Sequence, residues 1–262
     1  MGDSPSTQED FLFALSNQVD TLCCMPDKLR ICIVRFCYGG VEHAALGTWL
    51  GRTCHAIITN PRVSALNEFP LDRVPLYAAR NYAVEIAQGW GATHLLFSDH
   101  DHHHDYDPAA PPFWETALGF ASQHDGPCVV CAPARTGEPE YRVCVLREEE
   151  RDGQKHLVSY SNDDAASMSG VSRVPSSGMS LALIDMRCFG SEDQASGIRP
   201  PYFRYEYTDS YQHTIKSDEG VLFTAECTQA GIPVYCAWDC WTMHRKMQGV
   251  GKPESVTPKI IL

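Results

Sequence analysis

Hydrophobic and polar positions along this chain fall into short runs whose period changes from one run to the next. Phe11, Leu12, Leu15, Val19 and Leu22 follow helical spacing and predict a helix over residues 8–22. Residues 29–36 (LRICIVRF) form an apolar, β-branched run that stops at Tyr38-Gly39-Gly40, the pattern of a buried strand ended by a glycine turn. A helical stretch is expected from about 41 to 50 and a second strand at 54–59. A further helix is expected over 74–88, marked by Ala78, Ala79, Ala83 and Ile86, with Gly89 near its end.

Residues 93–97 (THLLF) read as a strand that runs directly into Ser98-Asp99-His100-Asp101. A helix at 111–123 and a buried strand at 127–132 follow. Strand and helix in alternation point to a parallel sheet with helices on both faces. Beyond Pro133 the pattern changes. Residues 141–146 and 156–160 predict a hairpin across a polar turn at 148–154, and 162–170 a polar loop. A strand within 174–184, a helix over 216–231 and a last strand at 233–237 complete the reading. No internal repeat and no linker rich in Pro, Gly or Ser divides the chain, so one domain over 1–262 is expected.

Composition narrows the class. With 262 residues, 44% hydrophobic and 21% charged, the chain is no disordered polymer. No apolar run approaches the roughly 20 residues needed to cross a bilayer, so no membrane partner is expected. The start is polar and acidic and lacks the basic opening of a secretory signal, which places the expected site of action in the cytoplasm. The formal charge of -12 disfavours a polyanionic partner unless basic residues gather locally. It does not count against a nucleotide, because a bound divalent cation reverses the field inside a site.

Cysteine is abundant, at 12 residues, but Cys23 and Cys24 are adjacent and Cys32, Cys131 and Cys236 lie in apolar runs. Small buried hydrophobes are the expected role, not a disulfide framework. Cys128, Cys131, Cys236 and Cys240 could in principle hold zinc, but Cys128 and Cys131 fall in a strand and not in a knuckle turn.

The chemistry concentrates at Asp99-His100-Asp101. Two carboxylates at the C-terminal end of a buried parallel strand sit where open α/β sheets bind ligands. Acidic oxygens there suit Mg²⁺ or Mn²⁺. A solvated acidic loop is the plain alternative.

The surrounding residues extend the pattern. Residues Gly91-Ala92-Thr93-His94-Leu95-Leu96-Phe97-Ser98-Asp99-His100-Asp101 closely resemble the DxD strand of GT-A glycosyltransferases, including small phage and bacterial ones. Upstream, Ala79-Arg80-Asn81-Tyr82-Ala83 resembles the helix start that precedes that strand. Downstream, Gly178-Met179-Ser180-Leu181-Ala182 resembles the family's glycine-led strand, and Tyr202-Phe203-Arg204-Tyr205 its aromatic segment. Ser217-Asp218-Glu219-Gly220 with Ala230-Gly231 resembles its acidic helix start and exit, and Met243-His244 its late histidine.

The resemblance implies a single GT-A (Rossmann-like) α/β domain, its mixed, mostly parallel sheet flanked by helices. A donor-binding half would span about 28–135 and an acceptor-side half about 136–262. It implies Mn²⁺ (or Mg²⁺) held by Asp101, with Asp99 on donor ribose or metal and His244 completing the shell. Arg80, Asn81 and Gly178 would serve the nucleotide-sugar donor, expected to be a UDP-sugar. Asp218 or Glu219 would be the base. Here the chain departs from the family, whose order is Glu then Asp. Glu219 falls on the first acid and Gly220 on the second, which leaves the base and the stereochemical outcome open.

Rival readings remain at this stage. A degenerate GT-A module would bind nucleotide or metal without turnover. The His100-Asp101 pair suits a His/Asp metal phosphohydrolase, and His102, His103 and His104 could supply one ligand or form a solvated polar mouth. The acceptor could be a glycan, a protein or a hydroxymethylated DNA base. DNA would require Arg135, Arg142, Arg147, Arg187, Arg199, Arg204, Arg245 and Lys246 to gather on one face. Trp238 and Trp241 could stack on a sugar or base, with a core role expected for at least one.

Overall fold

The computed structural model describes residues 28–37, 44–72, 75–136, 141–190, 197–208, 215–245, 249–250 and 260–261. The helix expected over 8–22 and the Gly39-Gly40 turn lie outside the described residues.

A seven-stranded mixed sheet is the frame, in the order β2-β1-β3-β10-β5-β13-β8. Its strands are β1 (Leu29–Phe36), β2 (Val63–Leu71), β3 (His94–Asp99), β5 (Val129–Cys131), β8 (Val171–Val174), β10 (Leu181–Asp185) and β13 (Val234–Ala237). β1, β2, β3, β5 and β13 run parallel, whereas β10 lies antiparallel between β3 and β5, and β8 antiparallel at the edge. The expected alternation therefore holds for the first strands and gives way where β10 inserts.

Helices α1 (Ala44–Thr59), α2 (Leu76–Trp90), α3 (Phe113–Ala121), α4 (Asn162–Ser167) and α5 (Glu219–Gln229) accompany the sheet. Strand alternation divides the core into two layers. Cys32, Val34, Phe36, Leu95 and Phe97 face α2 and α5, packing on Ala79, Ala83, Phe223 and Cys227. Ile31, Ile33, Leu96, Leu181 and Leu183 face α1 and α3, packing on Leu46, Trp49, Ile57, Phe113 and Leu118. Each fully buried large side chain contributes roughly 1.5–3 kcal/mol over exposure.

Several expectations need correction. Residues 54–59 are helix, not strand: Trp49, Thr53 and Ile57 keep one buried face at helical spacing, so α1 continues to Thr59. The second strand is β2, further on. The polar segment 162–170 opens with α4, whose N-cap Ser161 accepts from the Asp164 amide at 3.1 Å. The hairpin exists, but its strands β6 (Val145–Arg151) and β7 (Gln154–Ser159) extend through the expected turn. Only Asp152 and Gly153 make the tip, both at positive φ (54° and 73°), as a tight two-residue hairpin turn requires. Further strands follow β13: β14 (Met243–Arg245) pairs with β4 (His102–His103) and with β15 (Gly249–Val250), which pairs with β16 (Ile260–Ile261). Short β9 (Ser176–Ser177) joins β6, and β11 (Glu206–Tyr207) pairs with β12 (Ile215–Ser217).

All ten described cysteines are free thiols. Cys128, Cys131, Cys236 and Cys240 are buried, and among the described residues they do not converge as ligands on a metal ion. Among the described residues no helix is long and apolar enough to cross a membrane.

Candidate metal centre

The parallel strands converge their C-terminal ends on one edge of the sheet, and the chemistry sits there. β3 delivers Ser98 and Asp99 to opposite faces because successive strand residues alternate. Ser98 meets His104: the hydroxyl lies 2.9 Å from Nε2, with both residues fully buried. Asp99 turns to Arg80 on α2, which donates to Oδ1 and Oδ2 at 3.1 and 3.3 Å. The chain then turns through His100 and Asp101, so the two acids of the DxD motif part company.

Asp101 joins a different group. His102 Nδ1–H donates to its Oδ1 and His244 Nε2–H to its Oδ2, both at 2.9 Å. The backbone explains the convergence. His102 on β4 and His244 on β14 are direct antiparallel partners, so both rings stand on the same face. They stack at 4.5 Å with planes 8° apart. The Arg245 amide also donates to the Asp101 carbonyl at 2.7 Å, which locks the turn to β14. Burial alone would push the Asp101 carboxyl up, but the hydrogen bonds from His102 and His244 outweigh it and hold the group well below the usual carboxylate range.

Asp101, His102 and His244 are the one group among the described residues whose ligand atoms converge as on an ion, all within 4.8 Å. The 2.9 Å between Asp101 Oδ2 and His244 Nε2 matches the roughly 3 Å expected between neighbouring ligands each about 2.1 Å from one metal. One carboxylate oxygen and two imidazole nitrogens suit Mn²⁺, Fe²⁺ or Zn²⁺ better than Mg²⁺ or Ca²⁺, which prefer oxygen throughout. The donor set fits a divalent cation. Asp99 is not in the group, and His102, which sequence reasoning left among several histidines, is. Nothing in the sequence singled it out: His102, His103 and His104 are identical neighbours, and only the pairing of β4 with β14 buries His102 against His244.

Other residues picked from sequence have defined places. Arg80 is buried and also binds Glu219, Nη1 to Oε1 at 2.8 Å, and donates to the Met179 carbonyl at 3.3 Å. Burial works against the guanidinium, but Asp99 and Glu219 outweigh it and keep it charged. Burial raises both carboxyls in turn, with Arg80 opposing. Gly220 leaves room for this arrangement: a Cβ there would lie 3.0 Å from Arg80 Nη1 and 3.3 Å from Met179. Arg80 occupies the space that a side chain at position 220 would enter.

Asp218 is the N-cap of α5, accepting from the Val221 amide at 2.8 Å, and its side chain is exposed. Asn81 clamps the Phe203 backbone, donating to its carbonyl at 2.7 Å and accepting from its amide at 3.1 Å. Gly178 lets two segments touch: its amide donates to the Cys144 carbonyl at 2.6 Å, and a Cβ would meet Cys144 Cβ at 3.1 Å. The basic residues do not gather. Arg147, Arg187 and Arg204 pair with Asp164, Asp185 and Glu226, Arg135 is buried, and Arg187 stands at the opposite sheet edge from Arg245; Lys246 lies outside the described residues.

A cavity of 270 Å³ opens along the same loop, lined by Asp105, Tyr106, Asp107, Pro111, Asp239 and Trp241. Trp241 is buried and its indole nitrogen has no hydrogen-bond partner among the described residues. Trp238 is a core residue, donating to Ser172 Oγ at 2.7 Å.

No protein-family model matches the chain, and no curated protein does. Among solved structures the chain is similar to A197 from STIV, with a TM-score of 0.55 and 15% identity, covering 89% of this chain and 94% of that one. HddC from Yersinia pseudotuberculosis aligns over 81% of this chain and 92% of its own, but a TM-score of 0.31 and 8% identity carry no weight. The likeness to A197 is one of fold.

Proposed function

We propose that this protein is a metal-dependent glycosyltransferase that moves a sugar from a nucleoside diphosphate donor to an acceptor hydroxyl. The observation that carries the reading is the convergence of Asp101, His102 and His244 directly after a DxD strand, at the edge where α/β sheets bind nucleotides. Asp101, His102 and His244 would hold the cation, and a cation there supplies Lewis-acid stabilisation of a leaving diphosphate. Asp99, kept in place by Arg80, would face the donor ribose. The cavity beyond the loop suits a sugar: Tyr106 and Trp241 offer aromatic surface, and Asp107 and Asp239 offer acceptors. Asp218 is the acid open to an incoming acceptor, whereas Glu219 is committed to Arg80.

Incubation with a panel of nucleoside diphosphate sugars and Mn²⁺ tests the reading. Release of the nucleoside diphosphate that is lost on chelation, and lost in Asp101→Ala with the fold intact, is the expected result. Full activity after EDTA treatment would overturn it.

The second imidazole supports one other reading, a metal phosphohydrolase, because two nitrogens and one carboxylate also suit Zn²⁺ or Fe²⁺. That enzyme would release inorganic phosphate from phosphate esters and transfer no sugar.

A further inference from the structure

The opposite edge of the sheet carries a second concave site, independent of the metal centre. β3 begins at His94 and β10 ends at Asp185, and the antiparallel register makes them direct partners. Two cavities of 400 and 530 Å³ meet there and share Leu29, His94, Asp185 and Arg187. Leu118 and Ala121 wall one side of this trough and Met186 and Phe189 the other.

Arg62 and Arg187 bring two guanidinium groups to it beside the Asp185 carboxylate, in a chain whose total charge is -12. Arg187 satisfies Asp185, with Nε at 3.0 Å from Oδ1 and Nη2 at 2.6 Å from Oδ2, and donates Nη1 to the Asp125 carbonyl at 3.3 Å. Its side chain is nevertheless 59% exposed. Asp185 is thereby neutralised, and Arg62, whose guanidinium makes no hydrogen bond or ion pair among the described residues, adds an uncompensated charge. His94 forms the floor at 9% exposure, with Nδ1 3.1 Å from Thr93 Oγ1. The Thr93 hydroxyl donates to the Arg30 carbonyl at 3.2 Å, so His94 Nδ1–H donates to Thr93 Oγ1 and the ring edge with Nε2 is turned away from that bond.

We propose that this trough binds a small organic anion, a carboxylate or phosphate monoester on a short apolar body. The anionic end sits between Arg62 and Arg187 above His94, and the apolar end lies against Leu118 on one wall or Phe189 on the other. A guanidinium pair matches planar or tetrahedral oxyanions.

Benzoate and phenyl phosphate, titrated into metal-free full-length protein and followed by amide NMR, test the site, with benzylamine as the cationic control. Saturable shifts at Thr93, His94, Met186 and Arg187 are expected with the anions and none with benzylamine; the tighter of the two anions identifies the head group. Arg62→Ala should weaken binding about fivefold, the loss of one exposed charge contact, at an unchanged thermal midpoint. Non-saturating shifts, shifts confined to residues 99–107, or equal affinity in Arg62→Ala and the parent protein would each overturn the proposal.

Discussion

His102 and His244 face each other across two antiparallel strands, rings stacked at 4.5 Å, each bonded to a different oxygen of Asp101. His102 approaches through Nδ1 and His244 through Nε2, and each offers one nitrogen to the same point, so both should matter to ion binding. His102→Ala and His244→Ala are each expected to weaken Mn²⁺ binding by at least about tenfold, as losing a ligand does. Calorimetry on both variants measures this. Unchanged affinity in His102→Ala would return that residue to a packing role.

Arg80 is buried between Asp99 and Glu219, so its loss leaves two carboxylates without their cation. Arg80→Met should destabilise the fold by about 3–5 kcal/mol, read as a lower urea midpoint. Gly220→Ala tests the same packing from the other side. Its methyl would press on Arg80 Nη1 at 3.0 Å, and Arg80 is held too firmly to yield. A loss of about 1–3 kcal/mol is expected, despite alanine's better helix propensity. A stabilised Gly220→Ala protein would show that Arg80 moves freely.

His104 makes stability depend on pH. Burial first, then the neighbouring His102 and His103, push its pKa well below the ordinary 6.5. Below pH 6.5 the unfolded chain takes up a proton that the folded ring refuses, so stability is full above that pH and falls beneath it. The slope is up to about 1.4 kcal/mol per pH unit. His94, also lowered by burial, adds in the same direction. His104→Gln should flatten the loss between pH 6.5 and 5 in denaturation curves taken at each pH. An unchanged slope would assign the dependence elsewhere.

Asp218 caps α5 and is also the proposed base, and substitution can separate the cap from the proposal. Asparagine caps a helix about as well as aspartate, and alanine costs about 1 kcal/mol. Asp218→Asn should therefore keep the thermal midpoint and lose transfer if this acid is the base, while Asp218→Ala loses both. Transfer at the parent rate in Asp218→Asn would leave it a cap alone.

Legibility in the sequence followed burial. β1 and β3 were readable because both faces of each strand are buried, which makes a continuous apolar run. β2 was not, because an edge strand with Ser64, Asn67, Glu68 and Pro70 carries no such run. The end of α1 was misread because Ile57 and Ile58 are β-branched, although the buried face at Trp49, Thr53 and Ile57 is helical. The same division applies to the site. Asp99 and Asp101 were visible as neighbours in a motif. That Asp99 belongs to Arg80 and Asp101 to two histidines depends on where a strand turns and on the register of β4 with β14, neither of which is local.

The pairing of β14 with β4 joins segments far apart in the chain: His244 meets Asp101 across 143 residues. The candidate centre therefore exists only where that long-range contact has formed. Ion affinity would then report on tertiary closure and not on the local fold of the turn after β3.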